Sequence, residues 1–512
     1  MRTRAFLDGA AFGYFNQAII MLTGLWLTPF LLKHLGQSDY GGWLECMQIL
    51  GYAMLADFGT VAILPREIAY TTGGCDPKEK AQDLNILVGR TARVVIWQTA
   101  LVLVIAGCIL LFSSTIPIDF RIPTILVVIG FVVAFPFRIF AATLEGFQHL
   151  RLLGQIRSLV WLASTLTTVV AVFMGARVYS LAVGWLVGQV GSSLACYFAL
   201  RRLFPWLVSV NGLFQQFKVV WTDLFKGTWI SVQQLAQVLV AGTDLLIVGH
   251  VLGPAAVVVY SCTNKLLSVL ANQPIIILQA ALPGLSQMKV SESREQLLRV
   301  STAMGLGMML ISGAVASLVL CLNKPFVILW VGSKIFGGNS LTLFFIANTI
   351  VRQLDLCFVV ALFAFGYEKQ LALKSLADGV LSTALAFALS RLFGAYGVVG
   401  SYLLTAALFA FPASLYLLSR ECGVSPVAMV KPFFPWCWRF ALLAALFWKV
   451  SALGWINSYP KAAFAALGIL LVYTLVMSTC LKKSELWPYI EHLIARIQRI
   501  VPGFGRLAPG TV

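Results

Sequence analysis

The chain has 512 residues, 59% hydrophobic and only 11% charged, with a net charge of +17 and a mean hydropathy of +0.88. A water-soluble protein carries roughly a quarter charged residues, so a soluble enzyme or binding domain is excluded. Strand-like alternation at period two is absent, which excludes an outer-membrane barrel.

In chain order the apolar residues gather into about fourteen runs, each long enough to cross a ~30 Å hydrocarbon core as a helix. They span 11–32, 41–64, 90–113, 122–145, 156–175, 179–200, 227–250, 255–282, 299–322, 340–366, 371–391, 396–419, 435–455 and 461–481. The first follows Arg2 and Arg4 but is too long for a signal sequence and lacks an A-x-A cleavage site, so it is read as a span. Alternating the loops from a cytoplasmic N-terminus leaves about 26 Lys and Arg inside and about 7 outside. That asymmetry, with an even number of spans, predicts a multi-pass membrane protein with both termini cytoplasmic. The basic balance then reflects orientation and anionic lipid contact, and excludes a nucleic-acid partner.

The outer loops are short, and the longest, 323–339, holds no His, Asp or Glu. Inner loops 65–89, 201–226, 283–298 and 420–434 are longer and charged. Beyond 482, Leu486, Ile490, Leu493, Ile497 and Ile500 recur at helical spacing, which predicts an amphipathic cytoplasmic tail in the inner headgroup layer.

Three short patterns recur at an offset of about 217–220 residues, the mark of a duplicated bundle. His34-Leu35-Gly36 is answered by His250-Val251-Leu252-Gly253, Glu145-Gly146-Phe147-Gln148 by Phe365-Gly366-Tyr367-Glu368, and Gly175-Ala176-Arg177 by Gly394-Ala395-Tyr396-Gly397. The expected architecture is an all-α polytopic membrane protein with two pseudo-symmetric six-helix lobes and two extra C-terminal helices. Its parts are an N-lobe over 1–200, an inter-lobe linker over 201–226, a C-lobe over 227–419, spans 13–14 over 435–481 and the tail over 482–512.

Polar residues within the spans are the candidates for function. A charge at the bilayer centre costs roughly 2.5–3.5 kcal/mol even on the lenient insertion scale, so embedded charges must pair or line water. They include Glu45, Asp57, Arg138, Glu145, Asp244, Lys265, Arg352, Asp355 and Asp378. Span 8 carries Ser261, Lys265, Ser268, Asn272 and Gln279 on one face, span 7 carries Gln233, Gln237 and Asp244, and span 2 carries Glu45, Gln48 and Tyr52. Such faces predict a polar cavity between the lobes, or interhelical hydrogen bonding. Arg352 and Asp355 are one turn apart, which predicts a local ion pair. Arg138 follows Pro136, whose ring predicts a kink in span 4, and has no opposite charge one turn away. It is the leading candidate for an anion contact. The ten cysteines form no CxxC pair and no metal-ligand set with the four histidines, so neither a metal nor a cofactor is expected.

The stretch "LTPFLLKHLGQSDYGGWLECMQILGYAMLADFGTVAILPREIA", with Leu35-Gly36, Tyr40-Gly41, Asp57-Phe58-Gly59 and Arg66, resembles the start of bacterial polysaccharide-biosynthesis flippases. These are the Wzx-like O-antigen and exopolysaccharide repeat-unit exporters of the MATE-like (MOP) superfamily. "TDLLIVGHVLGPAAVVVYS" and "TLEGFQ" are similar to the same family. The resemblance implies two six-helix lobes around a central cavity, often with two further helices. It also implies export of an undecaprenyl-pyrophosphate-linked oligosaccharide from the cytoplasmic to the periplasmic leaflet of a bacterial inner (plasma) membrane by alternating access.

On that reading Arg138, Lys265 and Arg352 are candidate cations for the pyrophosphate, and Gln48, Gln233, Gln237, Asn272 and Gln279 candidate polar contacts. Asp57, Asp244 and Asp355 are candidate coupling carboxylates. Expected partners are the lipid-linked oligosaccharide, membrane lipids and other polysaccharide-assembly proteins. Two alternatives stand beside it: a drug or cation antiporter of the same superfamily, which needs an acidic aromatic cavity, and a membrane glycan polymerase or ligase. The enzyme reading lacks an outer loop with catalytic groups, a nucleophile elbow or a phosphate-binding glycine loop.

Overall fold

A computed structural model describes residues 2–57, 59–72, 78–111, 118–207, 228–291 and 294–482, with Ser484, Trp487 and Glu491 beyond them. Most of the expected inter-lobe linker and of the expected tail lies outside the described residues. By its internal contacts the chain divides into two compact units, Met1–Val258 and Val259–Val512.

In the first unit the helices are α1 (Arg2–Leu35), α2 (Gln37–Ala53), α3 (Thr60–Thr72), α4 (Ala81–Leu111), α5 (Ile118–Ala134), α6 (Arg138–Gly146), α7 (Leu150–Phe173), α8 (Val178–Leu203), α9 (Thr228–Ala241) and α10 (Thr243–Leu252). A further helix, α11 (Pro254–Ser291), begins here and runs into the second unit. Leu64, Ile68, Leu84, Phe135, Leu144 and Leu200 are fully buried in its core. Helices α7 and α8 approach closely at Gly184, where a Cβ would strike the Thr168 side chain and where Ser164 Oγ donates to the Gly184 carbonyl at 2.7 Å. Small and hydroxylated residues at such crossings are how membrane helices associate.

The second unit continues with α12 (Arg294–Val331), α13 (Asn339–Ala364), α14 (Glu368–Phe393), α15 (Ala395–Thr405), α16 (Phe411–Cys422), α17 (Pro426–Val430), α18 (Phe434–Ala452) and α19 (Tyr459–Lys482). A π-helical turn, Ala406–Ala410, joins α15 to α16. Helices α18 and α19 pack on α12, and two tyrosines of α19 bond to it: Tyr459 donates to the Leu329 carbonyl at 3.0 Å, and Tyr473 anchors the middle of the crossing. Tyr473 donates to the Leu310 carbonyl at 2.7 Å and accepts from Trp436 Nε1 at 3.2 Å. Both rings sit against Gly313, which has no side chain to hold them off.

Thirteen helical stretches among the described residues are long and apolar enough to cross a membrane. Outward-facing leucines and phenylalanines such as Leu166, Phe173, Leu408, Phe464 and Leu471 give them an apolar exterior. The protein is a multi-pass α-helical membrane protein. The second expected span, 41–64, departs from a single helix. After Ala53 the chain tightens into a 3₁₀ turn, Met54–Asp57, and restarts at Thr60. Gly59 lies between, at φ +67°, a conformation that costs other residues about 1–2 kcal/mol.

The repeated patterns share backbone geometry. Gly36 and Gly253 end their helices at φ +86° and +89°, and each N–H bonds the carbonyl four residues back. Gln148 (φ +60°) and Gly366 (φ +85°) occupy matching turns, with His149 bonded to Leu144 and Tyr367 to Leu362. Arg177 (φ +45°) and Gly394 (φ +59°) do the same at the third pattern. The equivalent positions are about 217–218 residues apart, a spacing that belongs to a duplicated unit.

Candidate functional site

A cavity of about 380 Å³ opens within the first unit. Its wall includes Gln48, Asp57, Arg138, Gln234, Gln237 and Gly242. Three separate stretches meet here, and each is broken where it lines the space. The second span breaks at Met54–Asp57. The fourth breaks at Phe135–Phe137, a 3₁₀ turn around Pro136, with Arg138 at its end. The seventh breaks at Gly242, between α9 and α10. Non-helical backbone at membrane depth is tolerated where protein covers it or where it lines a cavity.

The first two breaks each place a charged group on the lining, Asp57 and Arg138. Asp57 is 3% exposed and its Oδ1 accepts the Val61 N–H at 3.2 Å, capping α3. Gln98 Nε2 donates to the Asp57 carbonyl at 2.7 Å and to Thr60 Oγ1 at 2.8 Å, so the turn is braced from α4. Arg138 Nη2 lies 3.3 Å from Asp57 Oδ2. Its Nη1 is buried with no hydrogen-bond partner among the described residues. The guanidinium stands 5.5 Å from the Phe135 ring centroid, a cation–π distance. Tyr52 and Thr243 share a short hydroxyl–hydroxyl hydrogen bond that ties α2 to α10 beside Gly242. Among the charged residues that line the cavity, one cation faces one carboxylate.

Asp244 follows Gly242 by two positions, half-buried in the first turn of α10, and accepts the Leu245 N–H at 2.8 Å. Gln233 is half-buried on α9, off the cavity's lining residues, whereas Gln234 is among them. The sequence singled out Gln233; within the continuous helix Thr228–Ala241 the lining face instead carries Gln234, Gln237 and Val238, at spacings of three and four. Glu145 faces outward and reaches Arg157 at 3.9 Å, with both side chains about half exposed.

In the second unit Arg352 and Asp355 do not pair with each other. Arg352 Nη1 donates to Asp378 at 2.8 Å and Nη2 to the Tyr402 carbonyl at 3.2 Å. Asp355 takes Lys374 Nζ on both oxygens, at 2.8 and 2.6 Å, and Ser414 Oγ accepts from the same nitrogen at 2.7 Å. Helices α13 and α14 run antiparallel through a short connection, so opposite charges one turn apart on each helix meet across the gap. The cross pairs bury both charges, and a pair along one helix would leave each half solvated or facing lipid.

Lys265 is half-buried on α11 with Ser261 and has no ion-pair partner among the described residues. Its carbonyl accepts from Ser268, and Asn272 is exposed. The Gln279 side chain lies outside the described ones. Among the described residues no cluster of His, Cys, Asp and Glu has the makings of a metal site.

A family described as polysaccharide biosynthesis protein matches residues 7–289, more than half of the chain. The chain belongs to this family. Another of its relatives is the membrane protein EpsK of Bacillus subtilis (strain 168), described as uncharacterized. It is 23% identical over 386 residues, covering 73% of this chain and 75% of EpsK.

Among solved structures, this polysaccharide biosynthesis protein is similar to the lipid II flippase MurJ in an inward closed conformation. The TM-score is 0.65 at 12% identity, over 93% of this chain and 98% of MurJ. An outward-facing multidrug resistance MATE family transporter of the MOP superfamily follows at TM-score 0.53 and 15% identity, covering 81% and 96%. An inward-facing one gives 0.52 at 13%, again over 81% and 96%. The fold is therefore that of the MOP transporters, as the sequence resemblance implied.

Proposed function

We propose that the protein flips an undecaprenyl-pyrophosphate-linked oligosaccharide from the cytoplasmic to the periplasmic leaflet of a bacterial inner membrane, for surface polysaccharide assembly. Arg138 carries this reading: a guanidinium with an unpartnered buried nitrogen, on a broken helix, in a cavity walled by glutamines. A cation 4 Å from an anion contributes about 4 kcal/mol at an effective dielectric of 20. The partly exposed guanidinium suits phosphate oxygens, and the glutamine amides suit sugar hydroxyls. A cation antiporter needs a free acidic group, and the lining carboxylate, Asp57, is already engaged by Arg138.

Lys265 is the second candidate cation. Arg352 and Asp355 pair with Asp378 and Lys374 and are not among the cavity's lining residues, so they are assigned to the framework, and Asp57 is held by Arg138. Asp244, in the first turn of α10 beside the break at Gly242, is a candidate coupling carboxylate on this reading. Alternating access follows if the anion site faces one leaflet at a time, with different affinity in the two states. The Lys and Arg asymmetry between loops supports cytoplasmic termini.

The test is the orientation of the undecaprenyl-linked repeat unit in cells, comparing wild type with Arg138→Ala and Lys265→Ala at equal protein levels. Glycan stranded on the cytoplasmic leaflet is expected for Arg138→Ala. Normal translocation in a strain lacking the protein would overturn the assignment.

A further inference from the structure

The two partners of the cavity ion pair are fastened unequally. Asp57 is fixed by the Val61 N–H on its carboxylate and by Gln98 on its carbonyl, and is almost wholly buried. Arg138 is 31% exposed and touches Asp57 through one nitrogen only. It also stands at the junction where the Phe135–Phe137 turn gives way to α6. The carboxylate is part of the framework, and the guanidinium has room to turn into the cavity.

We infer that Asp57 is a built-in competitor for Arg138 that keeps the anion site weak enough to release its cargo. This rests on the assignment of Arg138 to an anionic group in the proposed function. An entering phosphate gains the exposed part of the guanidinium, which turns towards the cavity and away from Asp57. It is repelled at the same time by a carboxylate that cannot move away. That repulsion grows with the charge of the ligand, so Asp57 weakens a diphosphate more than a monophosphate. A carrier must hold its cargo firmly enough to load and loosely enough to unload, the same compromise that governs conducting pores. After release, Asp57 is in place to take back the guanidinium and refill the vacated position.

The test uses the purified full-length protein with farnesyl diphosphate and farnesyl monophosphate as probes, alongside the export rate in cells. Asp57→Asn keeps an acceptor for the Val61 N–H and removes the charge. It is expected to tighten farnesyl diphosphate binding about tenfold or more, to tighten the monophosphate less, and to slow export. Asp57→Ser, which also retains a capping oxygen, is expected to do the same should the asparagine variant fail to fold. Unchanged or weaker diphosphate binding in a variant with wild-type unfolding temperature overturns the inference, as does equal tightening of both probes. If Arg138→Gln binds both probes as well as wild type does, the anion site itself is wrong, and the inference falls with the proposed function.

Discussion

The first unit and the second each bury opposite charges among apolar helices, and they finish the task differently. In the second unit Lys374 gives its three protons to Asp355 Oδ1, Asp355 Oδ2 and Ser414 Oγ, with 6% of its side chain exposed. Nothing is left over for a ligand. In the first unit Arg138 makes one contact to Asp57, keeps a nitrogen unpartnered among the described residues and faces a cavity. Charge burial alone therefore does not mark a site; an incomplete set of partners next to open volume does.

The sharpest way to break this comparison is Lys374→Ala. It strands Asp355 inside the unit and is expected to cost about 3–5 kcal/mol, read as a lower unfolding temperature of the purified protein in detergent. The Lys374→Ala/Asp355→Ala double variant should recover a large part of that loss, because no lone charge then remains. Arg138→Gln is expected to behave in the opposite way. It leaves Asp57 with the Val61 N–H and a cavity beside it, so it should lower the unfolding temperature less than Lys374→Ala does, while farnesyl diphosphate binding falls about a hundredfold. A large stability loss in Arg138→Gln would move this pair into the same class as Lys374 and Asp355. The smallest effect belongs to Arg157→Ala, which removes the half-exposed contact to Glu145. It should shift stability by less than about 0.5 kcal/mol, measured in the same unfolding experiment.

The spans, their helical nature and the repeated turns were legible because hydropathy and helix-ending glycines are local signals. Pro136 likewise announced the break in span 4. The partners of the charges were not legible. Asp57 and Arg138 are brought together by two helix breaks that lie far apart in sequence, and no spacing rule links them. The Arg352 and Asp355 spacing pointed to a local pair that the structure does not make, because Lys374 and Asp378 on the next helix give both a closer, drier partner. Lys374 itself drew no notice in the sequence, lying near the start of its span. Gln234 was passed over because helical spacing puts both Gln233 and Gln234 near the face of Gln237, and only the packing of the neighbouring helices decides which one lines the cavity.

The bond from Tyr473 to Leu310 joins residues 163 apart in sequence. At a synthesis rate of about 5–20 residues per second, the face of α12 around Gly313 is made on the order of ten to thirty seconds before its covering helices. During that interval the nascent protein displays an unfinished surface to lipid and to the insertion machinery. Helix α19 is thus a marker of completed manufacture: a chain cut short before Tyr473 carries the whole cavity yet presents quality-control proteases with an α12 face that only α18 covers.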